Sequence, residues 1–438
     1  MSPLFTGLVV LLALLALLGI GTPIAFALGF VSIMALIIVE GSGSLAILGE
    51  TFFGGLASFG LVSIPMFILM GAAVASSPAG KDLYEALDRW LNRVPGGLVL
   101  SNIGACSIFA ALSGSSPATC AAIGKMGIPE MTKRGYPNEI AAGSIAAGGT
   151  LGILIPPSIT MIVYGIATET SIGRLFLAGL LPGLMLTMLF MAWTIYDCHR
   201  RGIGLSALTE RFTMKERFEA LPRVLPFLAI IVGILYVLYG GVATPSEAAG
   251  VGALFCIVLV VVIYRMWSVT KVTSMFRDTL KESVMIMMII GASELFSFTL
   301  SSLFITQSIA EWIAALDVNR WVLMGIINVF LLFAGFFLPP VAVILMTAPI
   351  LLPIILQAGF DPYWFAVVLT INMEIGLITP PVGLNLYVIN GIAPKITLAE
   401  ILRGSIPYVL CMVVGILLLC FIPGIATWLP ELLMGRAI

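Results

Sequence analysis

Apolar segments about 20 residues long recur from one end of this chain to the other, and they constrain the fold more than any other feature. A helix of about 20 residues is long enough to cross the roughly 30 Å hydrocarbon core of a bilayer. The hydrophobic share of the 438 residues is 60%, the charged share is 10% and the mean hydropathy is +1.14, which is too apolar for a soluble fold. The sequence therefore predicts an all-α, polytopic membrane protein.

About ten membrane-crossing helices are predicted, and two of them are interrupted. Their expected bounds are residues 4–20, 22–40, 51–77, 138–167 (interrupted), 173–198, 224–241, 246–266, 281–304, 362–391 (interrupted) and 398–422. Two further apolar segments, 96–131 and 321–356, carry helix-breaking clusters at 114–117 and 338–340. Each is predicted to form a re-entrant hairpin, in which two half-length helices meet at a tip.

Basic residues predict the orientation of the chain, because cytoplasmic loops retain Lys and Arg. Segments 199–223 and 265–281 are rich in both and are predicted to be cytoplasmic. When the other spans are made to alternate in direction from these two segments, about 17 of the 21 basic residues fall on the cytoplasmic side. Both termini are then expected in the periplasm. The first 20 residues lack a basic start and a cleavage site, so they are interpreted as a retained span.

The two halves of the chain repeat one pattern of glycines and prolines. Segment 151–157 (Leu-Gly-Ile-Leu-Ile-Pro-Pro) corresponds to 375–381 (Ile-Gly-Leu-Ile-Thr-Pro-Pro), and Pro129 corresponds to Pro353. Each half has an odd number of crossings, so the second is expected to be inverted relative to the first. The predicted parts are a first inverted repeat, a cytoplasmic linker, a second inverted repeat and a C-terminal tail, at residues 1–198, 199–223, 224–425 and 426–438.

Each half also contains a short amphipathic segment, at residues 81–93 and 306–320. The first carries Lys81, Arg89 and Arg93, as expected for an interfacial helix on the cytoplasmic side. The second is poor in basic residues, which favours the opposite face of the membrane. Two ordinary loops between spans are the alternative interpretation.

The repeated breaks are predicted to bind cations. Irregular backbone inside a membrane costs several kcal/mol per unsatisfied polar group, so a break present in both halves needs a binding partner. Broken helices in inverted-repeat transporters present carbonyl oxygens to sodium and half-helix N-termini to an anion. We expect one sodium site in each half, with the substrate between the two tips.

The candidate residues come from the tips and the breaks. Sodium site 1 is predicted to contain Ser113, Gly114, Ser115, Ser116, Gly149, Thr150, Gly152 and Pro156. Sodium site 2 is predicted to contain Gly335, Leu338, Pro339, Glu374, Gly376, Thr379 and Gly383. The substrate is predicted to contact Ser116, Pro117, Thr119, Ser158, Thr160, Pro340 and Asn385.

Each candidate also has a structural interpretation. Prolines and small residues can kink a helix or allow close packing, and a serine hydroxyl commonly satisfies its own helix. Glu374, Glu294 and Lys125 lie at apolar depth, where a charge costs about 2.5–3.5 kcal/mol on insertion scales, so they are functional candidates. Lys125 and Glu294 are equally consistent with snorkelling or paired scaffold residues.

Other classes of protein find little support. The net charge is −1, so nucleic-acid binding is not indicated. The six cysteines lie singly in apolar sequence and are interpreted as packing residues. His199 is the only histidine, which leaves almost no material for a catalytic triad or a histidine metal site. The chain is therefore not expected to be an enzyme, and no cofactor is expected besides Na⁺ as coupling ion.

Three motifs carry a family resemblance: 113–119 (Ser-Gly-Ser-Ser-Pro-Ala-Thr), 149–158 (Gly-Thr-Leu-Gly-Ile-Leu-Ile-Pro-Pro-Ser) and 374–385 (Glu-Ile-Gly-Leu-Ile-Thr-Pro-Pro-Val-Gly-Leu-Asn). Over nearly its whole length the chain resembles the large (M), DctM-like subunit of tripartite ATP-independent periplasmic (TRAP) transporters. The resemblance implies sodium-driven import of organic acid anions, such as C4-dicarboxylates or sialic acid, across a bacterial inner membrane by an elevator movement.

The same resemblance implies two protein partners, a small four-helix membrane (Q) subunit and a periplasmic substrate-binding (P) protein. A self-sufficient sodium/dicarboxylate symporter is the alternative, because that family shares the inverted repeat and the hairpins. A membrane-embedded enzyme is a remote alternative, which would need an intramembrane nucleophile or a metal cluster.

Overall fold

The computed structural model describes residues 2–203, 212–265, 268–315 and 318–435. Five predicted segments lie partly outside the described residues: the linker 199–223, the span 246–266, the basic segment 265–281, the amphipathic segment 306–320 and the tail 426–438. Every regular element in the described residues is a helix. Seven of these helices are long and apolar enough to cross a membrane alone.

The helices follow the predicted spans and hairpins. The first half contains α1 (Pro3–Gly19), α2 (Ile24–Glu40), α3 (Leu48–Leu56), α4 (Ser63–Ala75), α5 (Ala79–Leu91), α6 (Gly97–Ser113), α7 (Ser116–Lys133), α8 (Asn138–Thr150), α9 (Ile159–Ala167) and α10 (Ile172–Arg201). The second half contains α11 (Met214–Tyr239), α12 (Pro245–Tyr264), α13 (Val269–Ser302), α14 (Ile305–Ala315), α15 (Arg320–Phe337), α16 (Pro340–Gln357), α17 (Pro362–Leu377), α18 (Leu384–Ile392), α19 (Leu398–Phe421) and α20 (Gly424–Met434). Short 3₁₀ turns cover Ser42–Ile47, Phe59–Val62 and Leu151–Ile153.

Three helices of the second half begin at capping boxes. The side chains of Thr213, Thr244 and Thr397 each accept a hydrogen bond from the backbone N–H of a glutamate three residues later, whose carboxylate accepts the N–H of the threonine. This exchange satisfies donors that a helix N-terminus otherwise leaves without partners. It also explains why α11 begins at Met214, inside the segment predicted as a linker.

The third span differs from its prediction as one helix over 51–77. It consists of two helical segments, Ser42–Leu56 and Phe59–Ala75, that meet at an angle of 54°. Gly54 and Gly55 weaken the helix before the bend. Gly55 is also required by packing, since a Cβ atom there would overlap the side chain of Glu294. In the second half the corresponding element, α13, is one helix of 34 residues.

The predicted tail contains a helix, α20, which the sequence pattern did not indicate. It packs against α10 and α17. The guanidinium of Arg174, at the start of α10, donates to the carbonyl oxygens of Met434 and Gly435, both at 2.9 Å. These bonds satisfy carbonyls that the end of α20 leaves free, so a contact distant in sequence stabilises the helix.

Contacts between the two halves occur in reciprocal pairs, which is the pattern that an approximate two-fold relation produces. Helix α4 packs against α12, and its counterpart α13 packs against α2. In the same way α8 contacts α19 while α17 contacts α10, and α9 contacts α16 while α18 contacts α7. Reciprocal contact is the property of a two-fold interface. With an odd number of crossings per half, this arrangement is the inverted repeat predicted from the sequence.

Segments predicted to share a membrane side lie together. On the predicted cytoplasmic side, Asp82 of α5 accepts a 2.7 Å bond from the hydroxyl of Tyr264 and lies 3.5 Å from the guanidinium of Arg223. On the other side, the hydroxyl of Tyr164 donates to the carbonyl of Pro362 at 3.0 Å. The contacts therefore agree with the threading of the spans.

Candidate ion and substrate site

In each half the hairpin tip is bonded to the broken helix that follows it. The tip between α6 and α7 turns at Gly114, whose φ of 59° is left-handed. Its carbonyl accepts the backbone N–H of Ile159 at 3.4 Å, directly after the first break. In the second half the N–H of Val382 donates to the carbonyl of Phe336 at 3.2 Å. The Pro-Pro bonds of both breaks are cis.

Glycines at equivalent positions allow this close approach. A Cβ atom at Gly152 would lie 2.7 Å from the carbonyl oxygen of Ser115, and one at Gly376 would overlap the carbonyl of Gly335. Side-chain carbons do not tolerate such distances, so both positions require glycine. The structure thus brings together two predicted residues of each site, Gly152 with Ser115 in the first half and Gly376 with Gly335 in the second.

The first tip gathers oxygen atoms of the kind that hard cations bind. The hydroxyls of Ser113 and Thr119 lie 2.7 Å apart, and Thr119 donates to the carbonyl of Ser115 at 2.9 Å. Thr150 does not join them. The hydroxyl of Thr150 donates to the carbonyl of Ala147 at 2.7 Å. Thr150 lies two helical turns after Gly143, which contacts Gly404 of α19, so Thr150 is on the face of α8 that packs against α19.

Two other predicted site 1 residues contribute packing and backbone shape. A Cβ atom at Gly149 would overlap the sulfur of Cys120, so this glycine allows α8 to approach α7. Pro156 is buried within the first break. The first site therefore has two parts: a tip with clustered oxygens, and a break whose glycines set the distance between helices.

The second tip is poorer in hydroxyl groups. The hydroxyl of Thr379, in the break, donates to the carbonyl of Ile375 in the last turn of α17 at 2.7 Å. Gly383 takes the left-handed conformation that begins α18. Pro339 is exposed and Pro340 is buried. Any ion bound at this tip would depend mainly on backbone carbonyls.

Glu374 lies on a different face of α17 from the one that contacts the second hairpin. Met373 and Gly376 both contact Gly335. At about 100° per residue, Glu374 points well away from both neighbours, so the structure does not bring it to the tip. Its side chain is fully buried, and neither carboxylate oxygen has a hydrogen-bond partner among the described residues.

Two predicted substrate residues from different halves contact each other directly. The Nδ2 of Asn385 donates to the hydroxyl of Ser116 at 2.8 Å and to the carbonyl of Ala146 at 3.0 Å, and all of this is buried. Ser158 is also buried, and its hydroxyl caps α9 by accepting from Met161 at 3.2 Å. These side chains hold the tip and the breaks in position.

The remaining predicted substrate residues differ in access. Thr160 is buried, whereas Pro117 is half-buried. Thr119 is buried within the oxygen cluster of the first tip. Of the residues predicted to contact the substrate, Pro117 is therefore the most accessible in the first half.

A cavity of about 400 Å³ extends from the first tip toward the predicted cytoplasmic side. Ser113 and Ser115 line its inner end. The first turns of α13 add one helical face of polar residues: Lys271, Ser274, Asp278 and Glu282. The sequence pattern did not indicate Lys271, Ser274 and Asp278, because the span was predicted to begin only at residue 281. Their spacing of three or four positions is the signal that places them on one face.

The other intramembrane charges lie apart from the tips. Lys125 is exposed on α7. Glu294 lines a separate cavity of about 300 Å³ together with Glu169 and Ser297, on the predicted periplasmic side. Within the described residues no group of His, Cys, Asp or Glu side chains could hold a metal ion.

The profile of the family described as "Tripartite ATP-independent periplasmic transporter, DctM component" matches residues 10–425. The chain belongs to this family. It is 38% identical, over 85% of its length and 86% of the relative's, to the C4-dicarboxylate TRAP transporter large permease protein DctM of Pseudomonas aeruginosa. It is 30% identical to the sialic acid TRAP transporter large permease protein SiaM of Vibrio cholerae, over 96% and 97% of the two chains.

A third relative in the family is the isethionate TRAP transporter permease protein DctMQ of Oleidesulfovibrio alaskensis, 33% identical over 93% of this chain and 63% of that one. A solved structure, that of the YdaH transporter of Alcanivorax borkumensis, matches with a TM-score of 0.66 over 90% of this chain and 91% of that one. Its identity of 17% limits this likeness to the fold. The membership confirms the resemblance and makes the chain a multi-pass transporter subunit, not an enzyme.

Proposed function

We propose that this TRAP permease imports an organic acid anion across the bacterial inner membrane and that a sodium gradient drives it. The observation that carries the proposal is the equivalent contact of tip and break in both halves, at Gly152 with Ser115 and at Gly376 with Gly335. Breaks of this kind leave backbone carbonyl oxygens without helical hydrogen-bond partners, and such oxygens are suitable ligands for a sodium ion.

The first sodium ion binds at the oxygen cluster of Ser113, Ser115 and Thr119, which lies at the inner end of the 400 Å³ cavity. The second binds to backbone carbonyls between the second tip and its break. The anion binds between the tips, where the N-termini of α7 and α16 stabilise negative charge. A C4-dicarboxylate is the favoured class, because relatives named for it include the DctM protein at 38% identity.

Transport follows an elevator movement, in which hairpins and broken helices slide as one body against the other spans. The bond between Asn385 and Ser116 supports this proposal, since it ties the first hairpin to the second broken helix. A periplasmic binding protein delivers the anion, and a small four-helix subunit completes the membrane part. The DctMQ relative, of which this chain covers 63%, is consistent with such a subunit. Both termini lie on the periplasmic side.

Each uncompensated sodium ion that moves inward gains about 2.3 kcal/mol per 100 mV of membrane potential. The test is uptake of labelled C4-dicarboxylates into proteoliposomes that contain this chain and its small subunit, with the binding protein outside. Uptake is expected only with an inward sodium gradient and with the binding protein. Uptake without the binding protein would instead support the self-sufficient symporter.

A further inference from the structure

A buried carboxyl group without partners remains unused by the proposed sites. Glu374 has 0% exposure, and both carboxylate oxygens lack hydrogen-bond partners within the described part of the chain. It faces away from the second hairpin, which Met373 and Gly376 contact. Glu374 is therefore not a sodium ligand at the second tip, and its presence needs another explanation.

Charged neighbours do not compensate this carboxyl group. Among the described residues, α17 packs against seven α-helices and one 3₁₀ turn: α9, α10, α15, α16, α18, α19, α20 and Leu151–Ile153. None of their described titratable groups interacts electrostatically with Glu374. The hydroxyls of Tyr164 on α9 and Tyr408 on α19 bond elsewhere, to Pro362 and Thr194. An ionised carboxylate in this position would be a buried charge with nothing to stabilise it, which native proteins avoid by neutralising the group.

The first half shows that packing alone does not require an acid here. The equivalent position in α8 is Thr150, whose hydroxyl is satisfied by the carbonyl of Ala147 at 2.7 Å. A neutral side chain thus fills this position in one half, whereas the other half carries a titratable one. Such an asymmetry between repeats indicates a function restricted to one of them.

Exposed backbone follows Glu374 closely in sequence. Helix α17 ends at Leu377, about one turn after Glu374, and the break that follows is exposed at Pro380, Pro381 and Val382. These are the exposed residues nearest to the carboxyl group along the chain.

We propose that Glu374 is a proton-binding site and that the permease moves a proton together with its anion. This inference rests on the proposed function, since the proton travels in the same moving body. The protonated, neutral carboxyl crosses with the loaded body and releases its proton to internal water when the break opens. The ionised form remains in contact with water while the empty body returns, and it takes up a proton from external water before the next anion binds. The proton gradient then drives anion uptake together with the sodium gradient.

The test compares wild type with Glu374→Gln, which keeps the shape of a neutral carboxyl. Both are reconstituted with their partners, and anion uptake and internal acidification are measured over a range of pH at a fixed sodium gradient. Wild-type uptake is expected to fall at alkaline pH, by up to about tenfold per pH unit once the carboxyl titrates, with proton entry during uptake. Glu374→Gln is expected to lose the pH dependence of uptake and the proton entry, and to keep its sodium dependence. Glu294→Gln, the same substitution at a glutamate in a separate cavity, is expected to keep the pH dependence, the proton entry and the sodium dependence.

Equal pH dependence and proton entry in wild type and Glu374→Gln would overturn the proposal. So would a raised sodium requirement in Glu374→Gln with the pH dependence intact, because that result assigns the residue to sodium. If the variant does not fold, infrared spectra of the wild type decide: a protonated carboxyl band at neutral pH, retained in Glu294→Gln, is expected, and its absence would refute the proposal. Loss of sodium dependence in the wild type would contradict only the proposed sodium coupling.

Discussion

Asn385 donates a 2.8 Å hydrogen bond to the hydroxyl of Ser116, although 269 positions separate them in the sequence. Ser116 begins the second arm of the first hairpin, and Asn385 lies at the start of α18, after the second break. Both side chains are fully buried. The bond therefore joins the two halves where the substrate is proposed to bind.

Asn385→Ala is expected to lower stability by about 1–3 kcal/mol, because it leaves the hydroxyl of Ser116 and the carbonyl of Ala146 buried without their donor. Thermal unfolding of the purified protein in detergent measures this. Asn390→Ala is the control, since Asn390 lies in the same helix but bonds only locally, to Ile396. Equal losses for the two variants would contradict the cross-repeat role.

Gly152→Ala is expected to abolish uptake, because the added carbon would lie 2.7 Å from the carbonyl of Ser115 and push the first tip from its break. Gly376→Ala is expected to do the same in the second half. Gly325→Ala serves as control, since a Cβ atom at that position meets no other atom within 4 Å. Initial rates of anion uptake at equal protein amounts measure the effect. Normal uptake by Gly152→Ala would show that the tip and the break need not approach so closely.

Ser115→Ala is expected to raise the sodium concentration for half-maximal uptake several-fold, because Ser115 lines the cavity beside the oxygen cluster. Thr379→Ala is expected to act in the same direction in the second half, because the loss of its bond to the carbonyl of Ile375 changes the backbone that is proposed to bind the second ion. Ser144→Ala is a suitable control: this serine is buried in α8 and donates to the carbonyl of Ala141. Sodium titrations of uptake measure all three. An unchanged sodium requirement in Ser115→Ala and Thr379→Ala would remove both residues from the proposed sites.

Tyr264→Phe is expected to lower stability by about 1.5–3 kcal/mol, the usual range for a hydrogen bond to a charged group. The variant removes the 2.7 Å bond from α12 to Asp82 and so loosens the amphipathic helix α5 from the second half. Tyr236→Phe is the control, because that ring is 72% exposed. Denaturation in detergent compares the two. A loss no greater than that of the control would mean that this bond does not help to hold α5 against the second half.

Local chemistry explains which features were predictable from sequence. Proline lacks an N–H and fixes its own φ, so the clusters at 114–117 and 338–340 and both Pro-Pro breaks stop a helix wherever it packs. The hairpins and broken spans could therefore be located to within a few residues. The repeat of these signals also predicted the paired arrangement of the halves.

Tertiary contacts decided the rest. The bend after α3 depends on Gly55 fitting against Glu294, and α20 depends on Arg174, and both contacts join residues far apart in sequence. The direction of the Glu374 side chain depends on which face of α17 packs against the second hairpin. A sequence motif does not contain that information. The polar face from Lys271 to Glu282 was hidden because a charged helix extension resembles a loop when only hydropathy is considered.

Sodium coupling is tested most sharply by anion uptake into proteoliposomes that contain the permease and its small subunit, with the binding protein outside. We expect an inward sodium gradient alone to drive accumulation of the anion, an inside-negative potential to increase this accumulation, and Gly152→Ala to abolish it. Equal accumulation when potassium replaces sodium would contradict sodium coupling.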